Sequence, residues 1–275
     1  RLLGYEILPN PCTYDYVKYK KHYSDHDLRQ ALARKEAYWM HPVPRRYNDS
    51  LRMQVRKHFR EYAAQEISPV TLNSHHMEIP SISSVLQRIK SIDGWLDEQE
   101  ADLLMTTMLK ACITLQNGHT VVEIGSYQGK STVVLGSVMK TYFPQGKVYA
   151  IDPHNGVVGA ADQGLQATAP TLVTFNRNIA QAGLEEVVTL IQQCSFEVEW
   201  DRPISYIFID GLHDYPNVAR DHWHFAAHVK KGGYIAFHDY ADYYPGVQAF
   251  VNELLAGEEY VKVAQAKSLI VIQKL

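Results

Sequence analysis

The stretch TVVEIGSYQGKS, residues 120–131, sets the architecture of the chain around it. Residues 120–124 are rich in β-branched apolar side chains, which is typical of a buried strand. Gly125 and Gly129 then allow a tight turn and a close approach of the backbone to a ligand. The next segment, residues 130–143, has a helical pattern, and the first N–H groups of such a helix are free to bind an anion. A strand, a glycine turn and a helix in this order predict the ligand-binding loop of an α/β protein.

Four more short apolar segments follow, and helical segments separate them. The five strand segments are TVVEIG, KVYAID, VVTLIQQ, ISYIFID and GGYIAFHD. This alternation predicts a parallel sheet covered by helices on both faces. The last residues, 260–275, contain two apolar runs joined by a short link, which indicates an antiparallel hairpin at one edge. The predicted fold class is α/β: a Rossmann-like, doubly wound, seven-stranded sheet with a terminal antiparallel hairpin, preceded by a mainly helical N-terminal extension.

The N-terminal region has a different composition. Residues 1–95 are rich in Tyr, His, Arg and Lys and show no strand-like apolar run after YEIL. Residues 25–40 and 51–62 predict helices, and residues 69–81, with two prolines, predict a linker. The sequence therefore predicts a helical extension over residues 1–95 and a sheet domain over residues 96–275.

Composition excludes several classes of protein. A net charge of −3 over 275 residues gives no basic footprint for nucleic acid or for an acidic membrane. Three scattered cysteines predict neither a disulfide framework nor a zinc cluster, and they favour a reducing, cytoplasmic location. No apolar run reaches the ~18 residues that span a bilayer, and the start lacks a signal-peptide pattern. Because the chain begins with Arg1 rather than Met, we keep the alternative that it is part of a longer, multidomain chain.

The glycine loop admits three interpretations. A dinucleotide fingerprint requires G-x-G-x-x-G, but Tyr127 and Lys130 stand where its second and third glycines belong. A P-loop requires four residues between its glycines, and GSYQGKS has three. This near miss keeps a nucleotide-phosphate enzyme open, since YIFID resembles the magnesium-holding strand of an NTPase. The pattern E-x-G-x-x-x-G fits without adjustment at Glu123, Gly125 and Gly129.

With that third pattern, the chain resembles the class I S-adenosylmethionine-dependent methyltransferases. The resemblance implies that Asp152, at the end of the second strand, grips both ribose hydroxyls of the cofactor. It also implies that Ser195, after the third strand, offers its hydroxyl to the adenine amine, although many relatives carry Asp in that region. The cofactor-binding residues implied in this way are Glu123, Gly125, Ser126, Tyr127, Gly129, Ser131, Asp152, Ser195 and Asp210.

The fourth and fifth strands each end in a carboxylate with a histidine beside it. Asp210 is followed by His213, and Asp239 is preceded by His238. In this topology the two strands are neighbours about 4.8 Å apart, so the two aspartates should converge. Carboxylates this close repel each other unless a proton or a cation lies between them, and a hard divalent ion held by oxygen ligands meets that need.

The same segments, within a resemblance that covers residues 93–275, are similar to a metal-dependent branch of the methyltransferases. That branch includes O-methyltransferases acting on sugar hydroxyls of macrolides and on related natural products. The resemblance implies that Asp210 and Asp239 bind the metal and that His213 is the general base, so that Asp210 and His213 form the catalytic pair. For His238 we expect that it packs against or orients Asp239; the alternative is a third metal ligand, which would favour manganese or iron over magnesium.

These observations predict transfer of a methyl group from S-adenosylmethionine to a hydroxyl of a small molecule, assisted by Mg²⁺ or Mn²⁺. The expected acceptor is a sugar or a glycosylated natural product with a vicinal diol, because one cation can hold two adjacent hydroxyls in line. The alternatives are the nucleotide-phosphate enzyme and a non-catalytic, cofactor-binding interaction module. For residues 1–95 we expect a lid over the acceptor combined with a contact in a homo-oligomer, with no nucleic-acid or membrane partner.

Overall fold

The computed structural model of this protein describes His26, residues 82–115 and residues 119–275. The chain divides into two compact units, Arg1–His76 and Met77–Leu275, and every described residue except His26 lies in the second unit.

The helices and the linker predicted within residues 25–81 lie outside the described residues, apart from His26. The lid and oligomer roles of the extension therefore stay predictions. So does the domain boundary at residues 95–96, although helical residues before it, Val85 and Ile89, are buried in the core of the second unit.

The described part of the second unit alternates strands and helices along the chain. In chain order, its elements are α1 (Ile82–Ile89), α2 (Glu98–Thr114), β1 (Thr120–Ile124), α3 (Lys130–Tyr142), β2 (Lys147–Ile151), β3 (Val157–Val158), β4 (Gln166–Ala167), α4 (Leu172–Gln181), β5 (Val188–Ile191), β6 (Ile204–Ile209), α5 (Tyr215–Ala226), β7 (Val229–Phe237), α6 (Pro245–Ala256), β8 (Tyr260–Ala266) and β9 (Leu269–Lys274).

Seven strands form one sheet in the order β5-β2-β1-β6-β7-β9-β8. Strands β5, β2, β1, β6 and β7 are parallel, whereas β9 pairs antiparallel with both β7 and β8. The chain order reverses between β1 and β6, with Val121 opposite Tyr206. In open α/β sheets, ligands bind outside the carboxyl ends of the strands at such a switch point.

Two apolar layers sandwich the sheet. One layer contains core residues of α1 to α4, including Ile89, Leu104, Leu135 and Phe175, together with one face of the central strands. The other contains core residues of α5 and α6, including Phe225 and Phe250, with the opposite face. Because both faces are covered, all six residues of β6 are buried, as expected for a parallel strand that reads as a continuous apolar run.

Helix α2 begins with a reciprocal capping box. The Asp97 side chain accepts from the Gln99 N–H, while the Glu100 side chain accepts from the Asp97 N–H at 2.9 Å. Such caps satisfy backbone donors that the first helical turn leaves free. Glu100 is also only 2% exposed, which is unusual for a capping glutamate.

The predicted α/β sheet with five parallel strands and a terminal hairpin is confirmed. The sequence analysis missed the short antiparallel ribbon of β3 and β4, where Val157 pairs with Ala167. Each of its strands has two residues, too few to give an alternating pattern. Among the described helices, none combines the length and the apolar character needed to cross a membrane.

Candidate active site

A cavity of about 570 Å³ lies at the carboxyl ends of the parallel strands. Residues that follow β1, β2, β5, β6 and β7 all contribute to its wall, so the cavity occupies the switch point of the sheet. Its size falls within the range of roughly 300–1,000 Å³ that is common for small-molecule sites. Of the predicted site residues, the wall includes Gly125, Tyr127, Asp152, Ser195, Asp210, His213, His238 and Asp239.

The glycine loop after β1 packs directly against the end of β6. Gly125 has φ +82°, and a Cβ at this position would lie 2.0 Å from the carbonyl oxygen of Asp210. Only glycine fits there, because any other residue would collide with the backbone. Tyr127 has φ +45°, a conformation that non-glycine residues rarely adopt and that functional loops often contain.

The Asp152 carboxylate, directly after β2, is hydrogen-bonded to this loop. One oxygen accepts from the N–H groups of Ser126 at 2.9 Å and Tyr127 at 2.8 Å, and the other accepts from the His154 N–H at 2.6 Å. Two loop amides that the resemblance assigns to the cofactor are therefore bonded to Asp152 instead. The Asp152 side chain is 14% exposed and lines the cavity, so its oxygens stay accessible to a diol.

Four predicted cofactor residues lie outside the cavity wall: Glu123, Ser126, Gly129 and Ser131. Glu123 is fully buried and accepts a hydrogen bond from the Thr132 hydroxyl at 2.5 Å, which ties β1 to α3. Burial raises the pKa of Glu123 to about 8, against the opposing effect of hydrogen bonds from Ser131 and Thr132. Glu123 thus stabilises the glycine loop from a position outside the cavity wall.

Beyond β5 the wall contains a buried hydroxyl–carboxylate pair. The Ser195 hydroxyl donates to Asp221 of α5 at 2.5 Å, and both residues line the cavity. Burial raises the pKa of Asp221 to about 6, although the bond from Ser195 lowers it. Asp221 was not among the predicted site residues, because a single acidic residue in an amphipathic helix resembles a solvated surface residue.

At the other end of the cavity, the two strand-end aspartates meet a histidine. His213 Nε2 lies 3.1 Å from Asp239 Oδ2 and 3.5 Å from Asp210 Oδ1. Donor atoms of all three residues lie within 4.8 Å of one another, and such a set of two carboxylates and an imidazole suits a divalent cation. Asp239 has φ +58°, a strained backbone that directs its side chain toward this point. The predicted convergence of Asp210 and Asp239 is thus present.

His238 faces the same carboxylates from the opposite side. Its Nδ1 lies 3.1 Å from Asp210 Oδ1 and 3.3 Å from Asp239 Oδ2, and its Nε2 lies 3.2 Å from Glu100 Oε2. Burial opposes protonation, but the charge of Asp210 and hydrogen bonds to all three carboxylates raise the pKa of His238 well above its usual value. Burial likewise opposes ionisation of Asp210, but the charge of His238 and bonds from both histidines lower that pKa to about 2.

Glu100 is a second residue that the sequence analysis missed. Its Oε1 accepts from the N–H and the hydroxyl of Ser268, at 3.0 and 2.6 Å. Burial opposes its charge, yet hydrogen bonds from His238 and Ser268 lower the pKa of Glu100 to about 2. The spacing Asp97-x-x-Glu100 is a recognisable capping signal. It explains Glu100 as a helix cap and gives no indication that Glu100 lies beside the site.

The contacts of Lys130 argue against the alternative of a nucleotide-phosphate enzyme. Its Nζ donates to the carbonyl oxygen of Gly94 at 2.9 Å, whereas a P-loop lysine contacts phosphate. Lys130 is also not among the cavity-lining residues. This alternative is therefore not favoured.

Comparison with known proteins gives a family model and a curated relative. Residues 122–240 match the family model described as "Methyltransferase domain". The uncharacterized protein R132 of Acanthamoeba polyphaga mimivirus is 30% identical over 142 residues, which are 50% of this chain and 59% of that protein. The chain thus spans about three-fifths of the length of this curated relative.

Solved structures share the fold at low identity. The O-methyltransferase NovP superimposes with a TM-score of 0.56 at 15% identity, covering 66% of this chain and 83% of NovP. TomG from Streptomyces achromogenes, an O-methyltransferase of tomaymycin synthesis in complex with S-adenosylmethionine, has a TM-score of 0.47 at 13% identity, covering 74% of this chain and 92% of TomG. Residues 122–240 are thus similar to a methyltransferase domain, and the sheet that contains them shares its fold with the O-methyltransferase NovP.

Proposed function

We propose that this protein is an O-methyltransferase that uses a divalent cation to transfer a methyl group from S-adenosylmethionine to a hydroxyl of a small molecule. The observation that carries the proposal is the convergence of Asp210, Asp239 and His213 in the cavity that the glycine loop also lines. The acceptor we favour is a sugar or a glycosylated natural product with two adjacent hydroxyls.

The cofactor fits the end of the cavity between β1 and β5. Asp152 would offer carboxylate oxygens to the ribose diol, and Gly125, which lacks a Cβ, lets the glycine loop pack against the end of β6 and line the cavity beside it. Ser195 donates its hydrogen to Asp221, so its oxygen lone pairs are free to accept from the adenine amine. The described residues that line this end include hydrogen-bonding groups for a diol and an amine but no lysine, and the guanidinium of Arg220 lies over the ring of Phe196.

The carboxylate end fits a hard divalent cation, which Asp210 and Asp239 would hold. Bound S-adenosylmethionine supplies a reactive methyl sulfonium, and the cation supplies the positive charge that lowers the pKa of an acceptor hydroxyl. The residues themselves then have to hold that hydroxyl in line with the methyl carbon and the sulfur.

His213 is the proton acceptor that we assign to the reaction. Its side chain is 13% exposed, it lines the cavity, and its ring packs 4.5 Å from the ring of Tyr244. Protonated Nε2 would face Asp239 at 3.1 Å, so the carboxylate would stabilise the imidazolium formed when the hydroxyl loses its proton.

Two measurements test the proposal. Calorimetry with S-adenosylhomocysteine, with and without EDTA, should give binding in both cases, because the cofactor end contains its own hydrogen-bonding groups. Transfer of a labelled methyl group to diol-bearing glycosides should then stop in EDTA and return with Mg²⁺ or Mn²⁺. Matched deoxy glycosides that lack one hydroxyl are the control. Turnover that persists in EDTA would show that the reaction does not require a cation. Absence of cofactor binding would overturn the whole proposal.

A further inference from the structure

Glu100 is a buried carboxylate outside the strand-end loops that form the site. It lies in the first turn of α2, with its side chain 3% exposed. Its Oε1 accepts two hydrogen bonds from Ser268, and its Oε2 accepts from the Asp97 N–H and faces His238. Three donors besides His238 therefore hold this carboxylate in place, which is the condition for one side chain to orient another.

The imidazole of His238 lies between Glu100 and the aspartate pair. Nε2 is 3.2 Å from Glu100 Oε2, while Nδ1 is 3.1 Å from Asp210 Oδ1 and 3.3 Å from Asp239 Oδ2. Because Glu100 can only accept, Nε2 must carry the hydrogen that joins them. The hydrogen bond thus fixes the ring so that Nδ1 faces the aspartates.

The surroundings of Nδ1 match those of a metal ligand. Ligand atoms at right angles around an ion with bonds of about 2.1–2.2 Å lie about 3 Å apart, close to both distances from Nδ1. A metal-binding histidine almost always donates its other ring N–H to a carboxylate or a carbonyl, and Glu100 supplies that carboxylate. By the same rule Nδ1 carries a hydrogen toward Asp210 when no ion is bound, so a cation would bind Nδ1 by displacing that proton.

His213 lacks the corresponding support. Among the described residues, Nδ1 of His213 is buried without a hydrogen-bond partner, so no residue anchors it as Glu100 anchors Nε2 of His238. Such a ring is suited to proton exchange, whereas the ring held by Glu100 is suited to ligation. The two histidines beside one carboxylate pair therefore divide the two roles.

We propose that Glu100 is a positioning residue that fixes His238 as a nitrogen ligand, so that the site prefers Mn²⁺ to Mg²⁺. The inference rests on the cation site of the proposed function and deepens it. Imidazole nitrogen suits first-row transition ions, whereas Mg²⁺ prefers oxygen ligands and keeps its waters.

The test uses the full chain, stripped with EDTA and titrated with Mn²⁺ in the absence of substrate. The EPR signal of free Mn²⁺ gives the affinity, and pulsed EPR detects ¹⁴N coupling from a directly bound imidazole. We expect ¹⁴N coupling in the native protein and in His213→Gln, and its loss in His238→Gln. Mg²⁺ should displace Mn²⁺ only at a concentration at least about 10-fold higher.

Glu100→Gln tests the positioning role. Gln keeps the size of the side chain but has a single acceptor oxygen, so we expect Mn²⁺ affinity to fall about 10- to 100-fold and the ¹⁴N coupling to change. Glu98→Gln is the matched control, because exposed Glu98 lies in the same turn and pairs with Lys90; it should leave both readouts unchanged. Thermal melting and binding of S-adenosylhomocysteine show whether Glu100→Gln is folded, and His238→Gln probes the same contact from the other side.

The outcomes separate this inference from the proposed function. Mn²⁺ bound without ¹⁴N coupling, coupling that survives in His238→Gln, or identical affinities in Glu100→Gln and Glu98→Gln would each overturn the inference and leave the cation site standing. Binding of S-adenosylhomocysteine without any Mn²⁺ binding would remove the cation from the proposed function as well.

Discussion

The two ends of the cavity offer different groups to the proposed ligands. At the proposed cofactor end, Asp152 accepts hydrogen bonds from three backbone N–H groups, and Gly125 lets the loop pack against Asp210. At the carboxylate end, Asp210 and Asp239 are surrounded by ionisable side chains. Substitutions at the cofactor end should therefore weaken binding in steps, whereas substitutions at the carboxylate end should remove the chemistry and leave the cofactor bound.

The largest effect is expected from Asp239→Asn. Asn tolerates the positive φ of this position but offers one neutral oxygen in place of a charged carboxylate. Loss of the cation should lower kcat/KM about 10⁴-fold with little change in binding of S-adenosylhomocysteine. Methyl-transfer assays and calorimetry measure the two quantities.

Exposed Asp242, three residues further along, is the control, and Asp242→Asn should retain full activity. A parallel loss of cofactor binding in Asp239→Asn would mean that the two ends are not separable.

His213→Gln should have the next largest effect. Removal of the general base should lower kcat about 10²- to 10³-fold, while Mn²⁺ affinity and cofactor affinity stay within about threefold of the native values.

The control for this variant is His224→Gln, since His224 bonds the carbonyl oxygen of Val198. Loss of Mn²⁺ binding in His213→Gln would instead make His213 a ligand and reverse the roles of the two histidines.

Asp152→Asn tests the cofactor end of the cavity separately from the carboxylate end. The amide keeps one acceptor oxygen but brings an N–H₂ group against loop N–H donors. Affinity for S-adenosylhomocysteine should fall about 10- to 100-fold, about 1.4–2.7 kcal/mol, while Mn²⁺ affinity is kept.

Calorimetry with each ligand separately checks this prediction. Asp162→Asn, at an exposed position ten residues away, serves as the control. Unchanged affinity in Asp152→Asn would place the ribose elsewhere in the cavity.

The smallest effect on the cavity is expected from Glu123→Gln, behind the loop. Because the folded-state pKa of Glu123 is raised to about 8, folding keeps a proton that the unfolded chain loses near the ordinary pKa of 4.5. The stability of the native protein relative to Glu123→Gln should therefore be greatest below pH 4.5. It should fall as the pH rises toward 8, by on the order of 1 kcal/mol per pH unit.

Urea unfolding of both proteins at pH 5, 6.5 and 8 gives the difference, in which the contributions of other groups cancel. A difference that does not vary with pH would show that Glu123 is ionised in the folded protein. Cofactor affinity at one pH should match the native value within about threefold, since Glu123 does not line the cavity.

Local sequence patterns were sufficient for the sheet and for the strand-end residues that line the cavity. The apolar runs of β1, β2, β5, β6 and β7 and the terminal hairpin are confirmed as strands of one sheet. Asp152, Asp210 and Asp239 were identifiable because each lies within two residues of the end of a strand, and parallel strands end at the same edge. The division of the cofactor residues between wall and support was not predictable, because side chains of one loop point in several directions.

The contacts of Glu100 and Asp221 illustrate the limit of sequence reasoning. Glu100 meets Ser268, 168 positions away, and Asp221 meets Ser195 from a helix whose pattern only predicts amphipathicity. The sequence by itself determined which residues end the strands, because periodicity and glycine spacing are local properties of the chain. Only the tertiary structure decided which nitrogen of each histidine faces the aspartates, because that orientation depends on partners that folding brings together from distant segments.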